Sequence, residues 1–198
     1  MSDELGKKLK RLIILSAPSG GGKSTVAKHL MKLYPEIKFA VSATTRAKRE
    51  GELHGREYYC ISKEEFEEKI ENNEFVEYEQ IFDNYYGTLK SEIFKAFERN
   101  EILLFDVDIK GAKSISKAFP DDVLMIFITT PDMKILEQRL RNRGTESEEQ
   151  IKLRLERSEM EINEASGMFE HYLFNNDLDT LLKDSESIVN EEVFGIAN

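Results

Sequence analysis

Ala17-Pro18-Ser19-Gly20-Gly21-Gly22-Lys23-Ser24-Thr25 stands between two segments of different character. Before it lies a short apolar run, Leu12-Ile13-Ile14-Leu15; after it, Val26, Leu30 and Leu33 recur at helical spacing. The run reads as a buried strand and the following stretch as an amphipathic helix. A glycine-rich loop joining a strand to a helix is the setting of a phosphate cradle. Consecutive glycines let backbone N–H groups turn inward around an anion. The positive end of a helix starting near Ser24 strengthens that field. Lys23 suits the β- and γ-phosphates as a point charge, and the Ser24 hydroxyl suits Mg²⁺, which keeps several waters in such sites. The strict pattern has Gly where Ala17 stands. Residues Ala17 to Thr25 therefore predict a nucleoside triphosphate site and leave the acceptor open.

Outward from the loop, apolar runs alternate with helical patterns. Ile102-Leu103-Leu104-Phe105 is a second strand candidate, ending in Asp106-Val107-Asp108, and Val123 to Ile128 is a third. Thr130-Pro131-Asp132 reads as a helix start, with Thr as cap and Pro at the first helical position. That helix should stop at Gly144. Tyr172-Leu173-Phe174 is a late strand before a final helix near Leu178 to Val189. Continuous apolar strands separated by helices imply α/β architecture: a parallel sheet covered on both faces. The stretch 39–89 breaks the rhythm. It holds five of the seven tyrosines and reads as an inserted subdomain, with Ser62-Lys63-Glu64-Glu65 opening a short helix.

The 198 residues suit one domain. With 28 basic and 38 acidic side chains the formal charge is −10, which disfavours nucleic acid unless positive charge is concentrated locally. One cysteine, Cys60, excludes an internal disulfide framework and a Cys-rich zinc site. No apolar run is long enough for a signal segment or a membrane span, so the expectation is a soluble, cytoplasmic protein in a reducing compartment.

Positive charge is concentrated. Eight of the ten arginines fall in Arg46 to Arg56 and Arg139 to Arg157. In Ser42-Ala43-Thr44-Thr45-Arg46-Ala47-Lys48-Arg49 two arginines stand beside hydroxyl residues; arginine forks match phosphate oxygens, and Tyr58 and Tyr86 can donate to the same group. Further on, Arg139, Arg141 and Arg143 precede a polar connection, Gly144 to Gln150, and the next helix carries Arg154 and Arg157. Ser147 with Gln150 forms a capping box. Two arginine-bearing helices joined by such a connection read as a small lid, with Arg141 and Arg157 structural. His29, His54 and His171 lack metal-ligand spacing and read as structural.

Several motifs occur in the order seen in guanylate kinases. They are the loop at Ala17, Ser-Ala-Thr-Thr-Arg with Arg49, Gly51 to Tyr58, Asn73-Glu74-Phe75-Val76-Glu77, Asn84-Tyr85-Tyr86-Gly87-Thr88, Asp106-Val107-Asp108, Arg139 to Thr145, and Asn175-Asn176-Asp177-Leu178-Asp179. The chain resembles that family from about Leu12 to Val189. The resemblance implies a P-loop core (about 12–38, 90–138 and 170–190), a GMP-binding subdomain (about 39–89) and a lid (about 139–157). It implies transfer of the γ-phosphoryl group of ATP to GMP, with dGMP also accepted and Mg²⁺ as cofactor. Arg46, Arg49, Tyr58 and Tyr86 would hold the GMP phosphate. Glu77 would accept from guanine N1–H and its amino group, Ser42 would bond O6, and Thr88 and Asp108 would complete the pocket. Arg143 and Arg154 would close on the transferring group, Arg139 and Asn175 would contact ATP, and Asp106 would orient Mg²⁺ through water. The acceptor is already an ionised phosphate oxygen, so the task is positioning and charge neutralisation rather than base catalysis.

Two rivals are weighed against this. A non-enzymatic binding module of the same family typically has a degraded P-loop, whereas Lys23, Ser24 and the lid arginines stand here. A P-loop kinase for another phosphorylated acceptor would not call for Ser42, Glu77 and Tyr86 together. Oligomeric state is not legible in these residues.

Overall fold

The computed structural model describes residues 9–49, 51–55, 58–142, 144 and 147–196. In chain order the elements are β1 (Leu12–Ser16), α1 (Lys23–Leu33), β2 (Ile37–Phe39), β3 (Ser42–Thr44), β4 (Tyr58–Cys60), α2 (Lys63–Glu71), β5 (Phe75–Ile81), β6 (Asn84–Leu89), α3 (Lys90–Glu98), β7 (Ile102–Asp106), α4 (Ile109–Ala118), β8 (Val123–Thr129), α5 (Met133–Asn142), α6 (Glu148–Ala165), β9 (His171–Phe174) and α7 (Leu178–Phe194).

The first sheet is parallel, in the order β2-β7-β1-β8-β9. Its central strands are apolar at nearly every position because both faces are covered. Alternate residues divide between the two layers. Leu12, Ile14, Phe105, Met125 and Phe127 pack under Ile93 of α3 and Ile109, Ala112 and Ile115 of α4. Ile13, Leu15, Leu104, Leu124, Ile126 and Ile128 pack under Val26 and Leu30 of α1 and Leu181, Val189 and Val193 of α7. Each such side chain, fully buried, contributes roughly 1.5–3 kcal/mol.

Parallel strands bring all their C-terminal ends to one edge, and ligands of open α/β sheets bind there. At this edge β1 runs into the Gly-rich loop, β7 ends on Asp106, β8 ends at Thr129 and β9 delivers Asn175.

A second sheet, β4-β3-β6-β5, forms from residues within 42–89. It has its own small core of Ala43, Phe66 and Phe75. The Phe66 ring stacks on Phe75 at 4.3 Å and on Tyr85 at 5.2 Å. α2 is anchored by Ser62, whose Oγ accepts the Glu65 N–H at 3.0 Å. Gly87 is required because a Cβ there would lie 2.7 Å from the Tyr78 Cβ and 2.8 Å from the Glu77 carbonyl of the adjacent strand.

Two helix boundaries differ from the sequence expectation. α5 opens at Met133 rather than at Pro131, because Asp132 is the capping side chain: its Oδ1 accepts the Lys134 N–H at 2.8 Å, while the Thr130 hydroxyl donates to the Asp132 carbonyl. α7 continues past Val189 to Phe194, where Gly195 ends it in the left-handed conformation. Its last turns stay helical because Val193 is buried on the sheet and Phe194 stacks on Tyr34. Among the described residues, no helix is long and apolar enough to cross a membrane.

Candidate active site

The Gly-rich loop forms a hollow of about 570 Å³ bounded by its own residues and by Arg139, Asn175 and Leu178. Gly20 (φ +89°) and Gly22 (φ +113°) take left-handed backbone that side chains resist, and the Gly21 N–H closes a turn on the Pro18 carbonyl at 2.9 Å. α1 begins directly at Lys23, and no side chain caps its first turn.

Asn175 underpins the loop. It is 7% exposed, its Nδ2 donates to the Gly21 carbonyl at 2.8 Å, and a Cβ on Gly22 would meet that nitrogen at 2.2 Å. Arg139 Nη2 donates to the Asn175 carbonyl at 2.8 Å and to its Oδ1 at 3.2 Å. The stem of the α5–α6 hairpin is thus tied to the loop through one buried amide.

Lys23 Nζ lies 2.5 Å from Asp106 Oδ1. On the neighbouring side a hollow of about 420 Å³ is bounded by Ser19, Lys23, Asp108, Arg154 and Arg157. Arg154 Nη1 donates to the Ser19 hydroxyl at 2.7 Å, so α6 reaches the loop directly. Arg157 pairs with Glu161 at 2.9 Å and borders both this hollow and the next. Arg141 is engaged by Glu137 and Glu148, a pairing that joins α5 to α6. The capping box at Ser147 and Gln150 is complete, with bonds of 3.3 and 2.9 Å. Arg143 lies outside the described residues.

Across from the loop, a cleft of about 470 Å³ is bounded by Ser42, Tyr58, Glu77, Tyr86, Asp108 and Lys23, among others. β3, β5 and β6 supply its floor. Glu77 is registered against Thr88, and Ser42 Oγ lies 3.4 Å from Thr88 Oγ1. Burial holds the Glu77 carboxyl above the usual range, reinforced by Asp108 and Glu79, although the Thr88 hydroxyl and N–H both bond to it. Asp108 also caps α4, accepting the Gly111 N–H at 2.8 Å.

At the rim, the Tyr58 and Tyr86 rings meet edge-on at 6.0 Å, and the Arg46 guanidinium lies over Tyr58 at 5.3 Å. Arg46 Nη2 donates to Glu52 Oε1 at 2.7 Å, and the other Glu52 oxygen accepts the Arg49 N–H at 2.8 Å. The Arg49 side chain is exposed. Glu52 lies inside a motif quoted above but carries no role from the sequence. Its available signal is position: three residues after Arg49, behind a glycine that reverses the chain.

The structure therefore gathers Ala17 to Thr25, Arg139 and Asn175 around one hollow, and Ser42, Tyr58, Glu77, Tyr86, Thr88 and Asp108 around another. Lys23 borders all three hollows. His29 instead bonds Glu186 at 2.6 Å, linking α1 to α7 away from the cleft.

A parallel sheet with this loop after its first strand, facing a second sheet of arginine, tyrosine and carboxylate side chains, defines a P-loop kinase fold. The guanylate kinase family model matches residues 9–192. Guanylate kinase of Chlorobaculum tepidum is 48% identical over 168 residues, spanning 85% of this chain and 86% of that protein. Guanylate kinase of Chlorobium luteolum is 44% identical over 179 residues, 90% of each chain. The crystal structure of guanylate kinase from Anaplasma phagocytophilum superposes with a TM-score of 0.68 at 29% identity, covering 94% of this chain and 88% of that one. The chain belongs to the guanylate kinase family.

Proposed function

We propose that the two hollows meeting at Lys23 are the donor and acceptor halves of one phosphoryl-transfer site. The chain is an enzyme that transfers the γ-phosphoryl group of ATP to GMP, giving ADP and GDP. The observation carrying the site assignment is the position of Lys23, which borders the loop's hollow, the α6 hollow and the second-sheet cleft together.

ATP phosphates lie in the loop from Ala17 to Thr25, beside Arg139 and over the amide of Asn175. GMP lies on the second sheet. Glu77 accepts from guanine N1–H and the exocyclic amino group, Ser42 bonds O6, and Thr88 and Asp108 border the base. Arg46, Arg49, Tyr58 and Tyr86 hold the phosphate. AMP would leave the Glu77 carboxylate unpaired, and a site built on such bonds rejects the wrong partner by roughly 10⁴-fold or more. dGMP is accepted because none of these contacts needs the 2′-hydroxyl.

An oxygen of the GMP phosphate attacks the γ-phosphorus while the bond to the β-γ bridging oxygen breaks, and ADP leaves with that oxygen. Lys23 and Arg154 neutralise the charge on the transferring group. Arg154 already reaches the loop at Ser19, beside the place where the transferring group would lie. Excluding water protects the γ-phosphate from hydrolysis.

Ser24 and Asp106 suit Mg²⁺. Among the described residues no group of three His, Cys, Asp or Glu forms a cage. One carboxylate and one hydroxyl beside a triphosphate site are the donors that this ion usually takes, with waters and phosphate oxygens completing its shell. When bound, it supplies charge neutralisation between β- and γ-phosphates.

The test is release of ADP from ATP in the presence of Mg²⁺, with GMP and AMP offered separately. Turnover with GMP and none above background with AMP is expected. Turnover with a different phosphorylated acceptor alone would overturn the acceptor assignment.

A further inference from the structure

Arg46 cannot aim itself. A long arginine side chain at the rim of an open cleft loses rotamer freedom when it binds phosphate, and that loss weakens binding unless it is paid beforehand. The structure shows what restrains it. Glu52 Oε1 accepts Arg46 Nη2 at 2.7 Å, and the Ala47 carbonyl accepts Nη1 at 2.8 Å. The two side chains are only 13% and 17% exposed. Two of the five guanidinium N–H groups are used in this way and Tyr86 bonds the same fork, leaving the remaining N–H groups for a ligand.

Glu52 is itself held. Its Oε2 accepts the Arg49 N–H at 2.8 Å, while its own N–H donates to the Arg49 carbonyl at 3.2 Å. Gly51, at φ +85°, lets the chain turn back between them. One carboxylate thus ties the Arg46 fork to the turn that carries Arg49.

We propose that Glu52 is a positioning residue for the acceptor phosphate, holding Arg46 and the Arg49 turn in the geometry that receives it. The inference rests on the GMP-kinase reading. It competes with an opposite reading of the same contacts. A carboxylate on a phosphate-binding fork could be a stand-in that the substrate must displace. The two differ in sign: removing a positioning group weakens GMP binding, and removing a competitor tightens it. The bond from the Arg46 fork, with the Arg49 N–H beside it, holds the Glu52 carboxyl below the usual carboxylate range.

Glu52→Gln keeps the shape and removes the charge, and Glu52→Ala removes both oxygens. In each, KM is measured for GMP at saturating ATP and for ATP at saturating GMP. Binding of GMP and of guanosine is measured by calorimetry. A charge-assisted bond and its ordering correspond to about a tenfold change. KM for GMP and the Kd of GMP are expected to rise about tenfold in Glu52→Gln, with KM for ATP and the Kd of guanosine within about twofold of the parent. Combined with Arg46→Lys, Glu52→Gln should add little, because the fork it aims is gone. An unchanged or lowered KM for GMP overturns the proposal, and so does an equal loss for GMP, guanosine and ATP. If the parent chain turns over no GMP, the functional reading falls; the Glu52 inference is then decided by the GMP and guanosine affinities alone.

Discussion

Glu77 shows how far a single residue's chemistry depends on its surroundings. It is a carboxylate on a half-buried strand, with Asp108 and Glu79 nearby and Thr88 as its bonding partner. Its proton affinity is raised in the free protein, and only the ionised form presents two acceptor oxygens to the two guanine donors. GMP binding should therefore release a proton at mildly acidic pH, and KM for GMP should climb as pH falls toward the raised Glu77 range. That acid limb lies above the range of an ordinary glutamate, because burial raises the Glu77 carboxyl. In Glu77→Gln the limb should vanish, and GMP/AMP discrimination should fall by roughly 10²-fold or more, because an amide cannot accept from both guanine donors. A pH series of KM for GMP in the two proteins checks both expectations. An acid limb retained in Glu77→Gln would assign the titration elsewhere. Glu77 was legible as a base reader only through resemblance. Its raised range comes from burial, from Asp108 at the start of α4, and from Glu79; only the last, two residues along the same strand, is a neighbour that strand spacing reveals.

At the scale of elements, Asn175 joins three pieces of chain. Its N–H donates to the Thr129 carbonyl at 2.7 Å, its amide holds Gly21, and its carbonyl oxygens hold Arg139. The loop after β1, the end of β8 and the stem of α5 therefore meet at one buried residue, its main chain holding Thr129 and its side-chain amide holding Gly21. Asn175→Ala should raise KM for ATP about tenfold while KM for GMP stays within about twofold, since removing a partner from a buried carbonyl costs roughly 1–3 kcal/mol. Steady-state kinetics with each substrate varied in turn checks it; equal changes in both constants would mean general loosening. The strand–loop–helix order of β1 and α1 was readable because apolar periodicity and glycine spacing are local signals. The start of α5 was misplaced by two residues because Thr130 and Asp132 are both competent caps, and the final turn of the chain into the helix selects Asp132. α3 and α4 were not singled out from the sequence. Their buried faces, Ile93 with Ala96 and Ile109 with Ala112 and Ile115, carry the same helical spacing that makes α1 readable, so the signal for them is present in the linear chain.

For the molecule as a whole, most residues of the proposed acceptor cleft sit on or beside a sheet with its own core, distinct from the sheet that carries the loop, and Asp108 reaches the cleft from the start of α4. Losing the donor lysine should therefore leave acceptor binding largely intact. Lys23→Ala is expected to lose nearly all turnover yet keep GMP-induced stabilisation. A ligand at 100 times its Kd stabilises by about 2.7 kcal/mol, which a thermal melt detects as an upward shift. A Lys23→Ala protein whose melting midpoint ignored GMP would show that the halves are not independent. Against a formal charge of −10, Lys23, Arg154 and Arg157 stand together along the cleft and the α6 hollow, a local concentration of positive charge.

The sequence by itself determined the P-loop, the parallel α/β core and the family, because glycine spacing, continuous apolar strands and ordered motifs are properties of the linear chain. Motif order, through the family resemblance, also named Ser42, Tyr58, Glu77, Tyr86 and Asp108, which the fold brings around one cleft, and Arg139 and Asn175, which it brings beside the loop. Only the tertiary structure decided how those residues are held. The pairing of Lys23 with Asp106, the Arg154 bond to Ser19, the Glu52 clasp on Arg46 and the Asn175 link between Gly21 and Arg139 join residues brought together by folding. Hydrogen bonds and ion pairs act over a few ångströms of space, and separation along the chain carries no record of them.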